Sequence, residues 1–481
     1  MLFHSLHFVI FLPVVVCLHF LLPQRWRWAI LLAASYYFYM CWKPEYAILL
    51  VVFTMVNYCC GLAMGAPGSR RGRAVFLTIS ILSDLSILFF FKYYGFASSV
   101  LEDAFRQFNL FYDFPAFDYL LPVGISFYTF QTMAYSIDVY RGIQTPERHL
   151  GRFALYVTFF PQLVAGPIER PRNLLPQFRQ ERPFRYEQAV SGLQLVLWGM
   201  VKKVVIADRL AAMANQVYNN PGAYDGLPLL LGTYAFAFQI YCDFSAYSDI
   251  ARGAARMMGY ELMVNFRQPY LSQSIREFWA RWHISLSTWF RDYVYIPLGG
   301  NRVSKPRWYL NLGVVFVISG MWHGANWTFL IWGAVHGTYL VVAIVTQGFR
   351  ERVSRIVGLD KAPGLQRAWR MFVTFHLVCL SWVLFRANSL HDVGVIFSHM
   401  ASLDLSGFDL FSLGLRRFEF GVTVLMLVVL GVVDGLWSRG VNVREIMGGH
   451  RVLRWQVYMA GIFAIVFLGV MDRIDFIYFQ F

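Results

Sequence analysis

"SGMWHGANWTFLIWGAVHG", residues 319–337, is built mostly of tryptophan, glycine and aliphatic side chains, with His323 and His336 set inside it. A stretch this apolar belongs in hydrocarbon, where an ionisable ring is costly and marks a candidate functional site. Similar runs recur at roughly 5–22, 27–42, 46–64, 75–96, 119–139, 153–166, 187–206, 228–249, 310–325, 328–347, 370–387, 418–437 and 454–472. A spanning helix needs about 20 apolar residues. Of the 481 residues, 57% are hydrophobic and 15% charged, against about a quarter charged in a soluble domain. The implied fold class is all-α: a polytopic integral membrane protein of about 11–13 membrane helices, re-entrant segments included. The stretches 153–166 and 310–325 are short for a full crossing. They are read as re-entrant or buried among other helices.

Charge sets the expected topology. The net charge of +14 does not point to nucleic acid, because no segment is long enough to form an exposed basic domain. Lys and Arg instead gather in loops near 25, 70, 360 and 445, while the loops near 110, 220 and 400 are acidic or neutral. The basic set is expected to face the cytoplasm. Crossing parity then places both termini on the extracytoplasmic side. Arg25 and Arg27 come after the first apolar run instead of preceding it, so that run is expected to be a retained helix. Cys17, Cys41, Cys59, Cys60, Cys242 and Cys379 lie in or beside apolar runs without a Cys-x-x-Cys pair. They read as membrane-buried apolar residues, and no metal site is expected.

The stretch 250–308 differs. It holds nine Arg or Lys against three acidic residues and is rich in aromatics. Phe278, Trp282 and Ser285 or Leu286 share helical spacing, which predicts interfacial helices on the cytoplasmic leaflet.

Several polar residues stand out. His323 has Gly324 beside it to leave space for a substrate, with Trp322, Asn326 and Trp327 to wall or polarise that space. Burial disfavours a charged imidazole, and a neutral ring can take a proton from a hydroxyl. The alternative is a ring hydrogen-bonded between packed helices. His336 falls on nearly the opposite face if the helix is continuous. Gly333 and Gly337 beside it indicate packing. His283 sits in an interfacial helix beside Arg281, whose charge would oppose protonation of the ring. Asp249 and Arg252 have ion-pair spacing. Asp243 is either a carboxylate bonded to a neighbouring helix or part of a site. Lys202 and Lys203 can snorkel, and Arg386 can do so or meet an anionic group. "FFPQLVAGPIERP", 159–171, is broken backbone, tolerated at membrane depth only inside protein or along a cavity. The chain has no Walker A loop, no H-E-x-x-H and no G-x-S-x-G.

Five stretches in order carry a resemblance: "FFPQLVAGPIERP", "QIYCDFSAYSDIARGAARMMGYEL", "PYLSQSIREFWARWHISLSTWFRDYVYIPLGGNR", "GMWHGANWTFLIWGAVHG" and "SWVLFRA". Together they resemble the membrane-bound O-acyltransferases, in particular the bacterial branch that acetylates alginate and related exopolysaccharides. The resemblance implies one membrane domain over 1–481. Its parts would be N-terminal helices at 1–118, the core motifs at 119–390 and C-terminal helices at 391–481. It makes His323 the catalytic residue and His283 the second polar position, with Trp322, Asn326, Asp243 and Arg281 as substrate or tunnel candidates. The implied reaction is O-acetylation on the extracytoplasmic side of a bacterial inner membrane, with acetyl-CoA as thioester donor and no tightly bound cofactor. Implied partners are a periplasmic SGNH-type acetyltransferase and polysaccharide secretion machinery. D-alanyl transfer to teichoic acid from a carrier protein is the alternative enzyme. A non-catalytic transporter of an acyl or sugar compound is the alternative of another class.

Overall fold

The computed structural model describes residues 1–110, 112–115, 120–402, 410–441, 449–470 and 476–477. Parts of the loops near 110, 400 and 445 lie outside the described residues. So does the extreme C-terminus, whose expected side rests on crossing parity.

Among the described residues the regular structure is helical throughout. Eight helices are long and apolar enough to cross a membrane: Pro44–Gly65, Arg70–Gln107, Tyr186–Tyr218, Leu227–Met257, Trp327–Val345, Pro363–Arg386, Arg417–Ser438 and Arg451–Leu468. Helices occupy four more of the expected stretches: Leu6–Leu21, Gln24–Met40, Ile125–Tyr140 and Lys305–His323. The physical reason is common to all. Lipid offers no hydrogen bonds, so the backbone must satisfy itself within each segment.

The remaining stretch, 153–166, breaks as its prolines require. Leu150–Thr158 ends at Phe159, and Phe160–Leu163 comes next as a single turn. Side chains satisfy the freed backbone. Gln162 donates to the Tyr156 carbonyl at 3.2 Å, the Phe160 amide donates to Ser35 at 3.0 Å, and the Tyr156 hydroxyl donates to the Glu169 carbonyl at 3.1 Å. This broken backbone is thus held inside protein.

The chain groups into two compact units, 1–196 with 247–263, and 197–246 with 264–481. The first contains the broken segment and a buried polar network. There Asp84 accepts from Asn57 at 2.8 Å and from Thr132 at 2.7 Å, while Ser80 and Ser136 donate to the side-chain oxygen of Asn57 at 2.7 and 2.9 Å. Such bonds fix helix register where lipid gives little apolar driving force. Asp249 and Arg252 form the expected pair, at 3.4 Å.

The second unit is organised around the hairpin of Lys305–His323 and Trp327–Val345. A Cβ on Gly320 would lie 2.2 Å from the Phe329 carbonyl oxygen, and one on Gly333 would lie 2.2 Å from that of Phe316. The two backbones approach so closely that only glycine fits at the crossing. The separate runs at 310–325 and 328–347 are thus two helices, divided at 324–326, so the helical phase that a continuous helix would give His323 and His336 does not apply.

Two further readings change. The amphipathic stretch from 275 is not one helix: Ile275–Arg281 and Ile284–Phe290 are separated at Trp282 and His283, and Phe278, Trp282, Leu286 and Trp289 are buried by protein. Lys202 and Lys203 do not snorkel. Both are buried; Lys202 donates to Ser245 at 2.8 Å and Lys203 sits 2.8 Å from both Asp208 and Asp243.

Candidate active site

Trp322 and His323 close the Lys305–His323 helix, and Gly324 continues in extended backbone. Asn326 then caps the next helix, its side-chain oxygen accepting the Thr328 amide at 3.1 Å, while its side-chain nitrogen donates to the Asn388 carbonyl at 3.4 Å. A side-chain N-cap of this kind satisfies an otherwise orphaned amide. The Asn326 oxygen and nitrogen are thus engaged in positioning the turn that carries His323.

His323 is buried in an aromatic cage. Its ring stands edge-on to Trp332 and Phe385, each at 5.1 Å between centroids, and to Trp322 at 4.7 Å. Trp332 comes from the second arm of the hairpin and Phe385 from the Pro363–Arg386 helix. Two expectations about the surroundings are corrected. Gly324 does not open substrate space, because the Phe329 ring fills it: a Cβ there would lie 2.2 Å from that ring. Trp327 is half exposed and does not wall the cage.

His283 lies in the same unit, fully buried, with φ +42°. Left-handed backbone is uncommon for any residue but glycine, and Asn, Asp and His tolerate it best among the others. Neighbouring segments hold it there. Asn265 accepts the Ile284 amide through its carbonyl at 3.0 Å and the Ser285 amide through its side chain at 3.1 Å, and the Arg267 amide donates to the Arg281 carbonyl at 3.0 Å. The ring meets Phe244 edge-on at 4.6 Å and Trp322 at 5.9 Å. Trp322 therefore stands between the two histidines. Burial pushes the His283 pKa down to about 3, so the ring is neutral at physiological pH. The cause is desolvation, not the Arg281 charge that its sequence neighbourhood suggested. Arg281 instead pairs with Glu277 at 2.6 Å.

Asp243 lies in the cluster with Lys203 and Asp208, and its second oxygen accepts the Ile477 amide at 2.7 Å. It reaches the site indirectly, since Phe244, next in the chain, carries the His283 contact.

His336 has a different environment. The Trp279 indole donates to its Nδ1 at 3.2 Å, and its Nε2 lies 2.9 Å from the Ser381 hydroxyl. An indole N–H can only donate, so the proton sits on Nε2, which donates to the Ser381 hydroxyl, and Ser381 in turn donates to the Val378 carbonyl at 2.7 Å. Both nitrogens are spent on packing, as the flanking glycines indicated.

Sequence reasoning did not single out Trp332, Phe385 or the pairing of Lys203 with Asp208. The last has a traceable signal. Lys203 and Asp208 are five apart, out of phase on an α-helix, but Val201–Ala207 is a π-type turn, where five-residue spacing aligns.

A family model described as MBOAT, the membrane-bound O-acyltransferase family, matches residues 148–354. The chain is similar to the probable alginate O-acetylase AlgI of Azotobacter vinelandii, 42% identical with 88% of this chain and 82% of that one covered. The AlgI of Pseudomonas aeruginosa is 42% identical, with 88% and 79% covered. The peptidoglycan O-acetyltransferase of Helicobacter pylori is 34% identical, with 83% and 77% covered. Together with the helical architecture and the buried His323 cage, this likeness over most of both chains establishes that the chain belongs to the membrane-bound O-acyltransferase family and is a polytopic membrane O-acyltransferase.

Proposed function

We propose that the chain transfers an acetyl group from a cytosolic thioester, acetyl-CoA, to a hydroxyl on the extracytoplasmic side of a bacterial inner membrane, in the O-acetylation of an exopolysaccharide such as alginate. The observation that carries this reading is His323, buried among Trp322, Trp332 and Phe385 at a helix end, in the Trp-His-Gly setting that the family resemblance makes catalytic. The names of two kinds of relative support acetyl, one acting on alginate and one on peptidoglycan. The bulk of the cage supports a short acyl chain.

In this mechanism the neutral His323 imidazole accepts the proton of the acceptor hydroxyl as its oxygen attacks the thioester carbonyl carbon. The tetrahedral intermediate collapses with cleavage of the C–S bond, and the proton returns to the departing thiolate. His283, neutral behind Trp322, borders the same chamber. Arg350, Arg352, Arg355, Arg367 and Arg370, all exposed, supply cations for the phosphates of the donor on the cytoplasmic side. Both termini are extracytoplasmic, where a periplasmic SGNH-type partner and the polymer secretion machinery receive the product.

Turnover of labelled acetyl-CoA by the purified chain tests the reading. The expected result is thioester cleavage that His323→Ala abolishes, with loss of polymer acetylation in cells at equal protein level. An intact thioester with the wild-type chain, alongside acetylation that still depends on it in cells, would replace this reading with transport.

A further inference from the structure

The buried lysine that the catalytic reading leaves unused pairs with the carboxylate that receives the Ile477 amide. Within the second unit, the π-type turn Val201–Ala207 departs from the regular i to i−4 ladder, which leaves carbonyls available to other partners. The Val204 carbonyl accepts the Val470 amide at 2.9 Å. One turn on, Arg209 donates to the Leu468 carbonyl at 2.5 Å. The same turn aims Lys203 between Asp208 and Asp243, 2.8 Å from each. Asp243 completes the set by accepting the Ile477 amide at 2.7 Å. Three bonds from one short stretch and its ion partner thus anchor the C-terminal end of the Arg451–Leu468 helix, Val470 and Ile477. Phe476 and Ile477 are each only 2% exposed. Phe476 packs on Phe244 at 5.7 Å, and Phe244 packs on His283 at 4.6 Å.

We propose that Lys203 and Asp243 are a clamp that seats Ile477 and holds the adjacent Phe476 against Phe244, the residue that packs on His283, so that Asp243 is a positioning residue acting on His283 through Phe244. The lysine is what makes the clamp rigid. A buried carboxylate without a cation is costly, and pairing to Lys203 fixes one oxygen of Asp243 while the other accepts the Ile477 amide. This inference rests on the acyl-transfer reading of the His323 chamber.

Ile477→Pro tests it, because proline removes the amide that Asp243 accepts, while Ile477→Val keeps it. With the purified full chain turning over acetyl-CoA, Ile477→Pro is expected to lower kcat by about tenfold or more with KM within about twofold, and Ile477→Val to stay within about twofold of wild type. A second measurement stands apart from activity. In a chain whose six native cysteines are replaced, Ile477→Cys is expected to be protected from a maleimide and to label about tenfold faster or more when Asp243→Asn is added. Equal kcat for the proline and valine variants overturns the proposal, as does labelling that ignores Asp243→Asn. Retained turnover in His323→Ala overturns the catalytic reading instead, and the labelling arm then still judges the clamp. Should the proline variant fail to accumulate, the labelling arm decides.

Discussion

The indole of Trp322 meets the His283 ring edge-on with centroids 5.9 Å apart, and in the chain it directly precedes His323. One tryptophan ring thus contacts both histidine rings. His323 is the ring at the end of a helix, faced by Trp332 and Phe385; His283 is the ring on strained backbone, behind Phe244. The two rings thus differ in setting: one closes a helix inside an aromatic cage, the other sits on left-handed backbone where burial holds it neutral.

His323→Ala should lower acetyl-CoA turnover by about 10²–10⁴-fold, the usual contribution of a positioned general base. His323→Gln should lose as much, since an amide fills the cage without accepting the proton. Both are read as initial rates at matched protein level. Activity within about tenfold of wild type in either variant is incompatible with the role.

His283 should respond to side-chain shape and to pH. At φ +42° Asn tolerates the backbone, whereas a β-branched residue is a genuine outlier. His283→Asn is expected to fold, and His283→Val to lose roughly 1–3 kcal/mol, seen as a lower unfolding temperature in detergent. The folded pKa of about 3 lies below the ordinary 6.5. Between those values the unfolded chain binds the extra proton, so stability is full above about pH 6.5 and declines as pH falls through the window. His283→Asn should flatten that decline.

The helical architecture was readable in the sequence because lipid permits little else: apolar runs of sufficient length must become helices. His323 stood out through its Trp-His-Gly setting, and the structure buries it among Trp322, Trp332 and Phe385. What stayed hidden has specific causes. The apolar spacing of Phe278, Trp282 and Leu286 continues through His283 and conceals the left-handed residue there. Lys203 and Asp208 pair only because the 201–207 turn is wide. Asp243 and Ile477 are 234 residues apart in the chain, a separation that no local pattern spans. Gly324 looked like space for a substrate, yet it accommodates the Phe329 ring.

The hairpin crossing should tolerate no side chain. At Gly320 and Gly333 a Cβ would lie 2.2 Å from a backbone carbonyl oxygen, and backbone cannot swing aside as a side chain can. Gly320→Ala and Gly333→Ala are each expected to cost about 3 kcal/mol, the upper part of the usual range for overpacking. Gly348→Ala, with open space around its Cβ, is the control. Unfolding midpoints in one detergent compare the three. Equal midpoints would mean that the helices do not cross this closely.

His336 and His323 occur in one short stretch and both touch Trp332, at 4.8 and 5.1 Å, yet they should fail in different ways. His336 accepts a hydrogen bond from the Trp279 indole and donates one to the Ser381 hydroxyl. Losing one end of such a buried chain leaves a polar group unsatisfied, which costs about 1–3 kcal/mol. Ser381→Ala should therefore lower the unfolding midpoint while kcat per folded molecule stays within about twofold of wild type. Trp279→Phe, which removes the indole donor but keeps an aromatic ring, should do the same. Because the two substitutions interrupt one chain, their stability effects should be less than additive. His323→Gln should show the opposite pattern, an unfolding midpoint close to wild type with turnover lost. If Ser381→Ala abolishes turnover in fully folded protein, His336 takes part in the proton path and its assignment to packing is wrong.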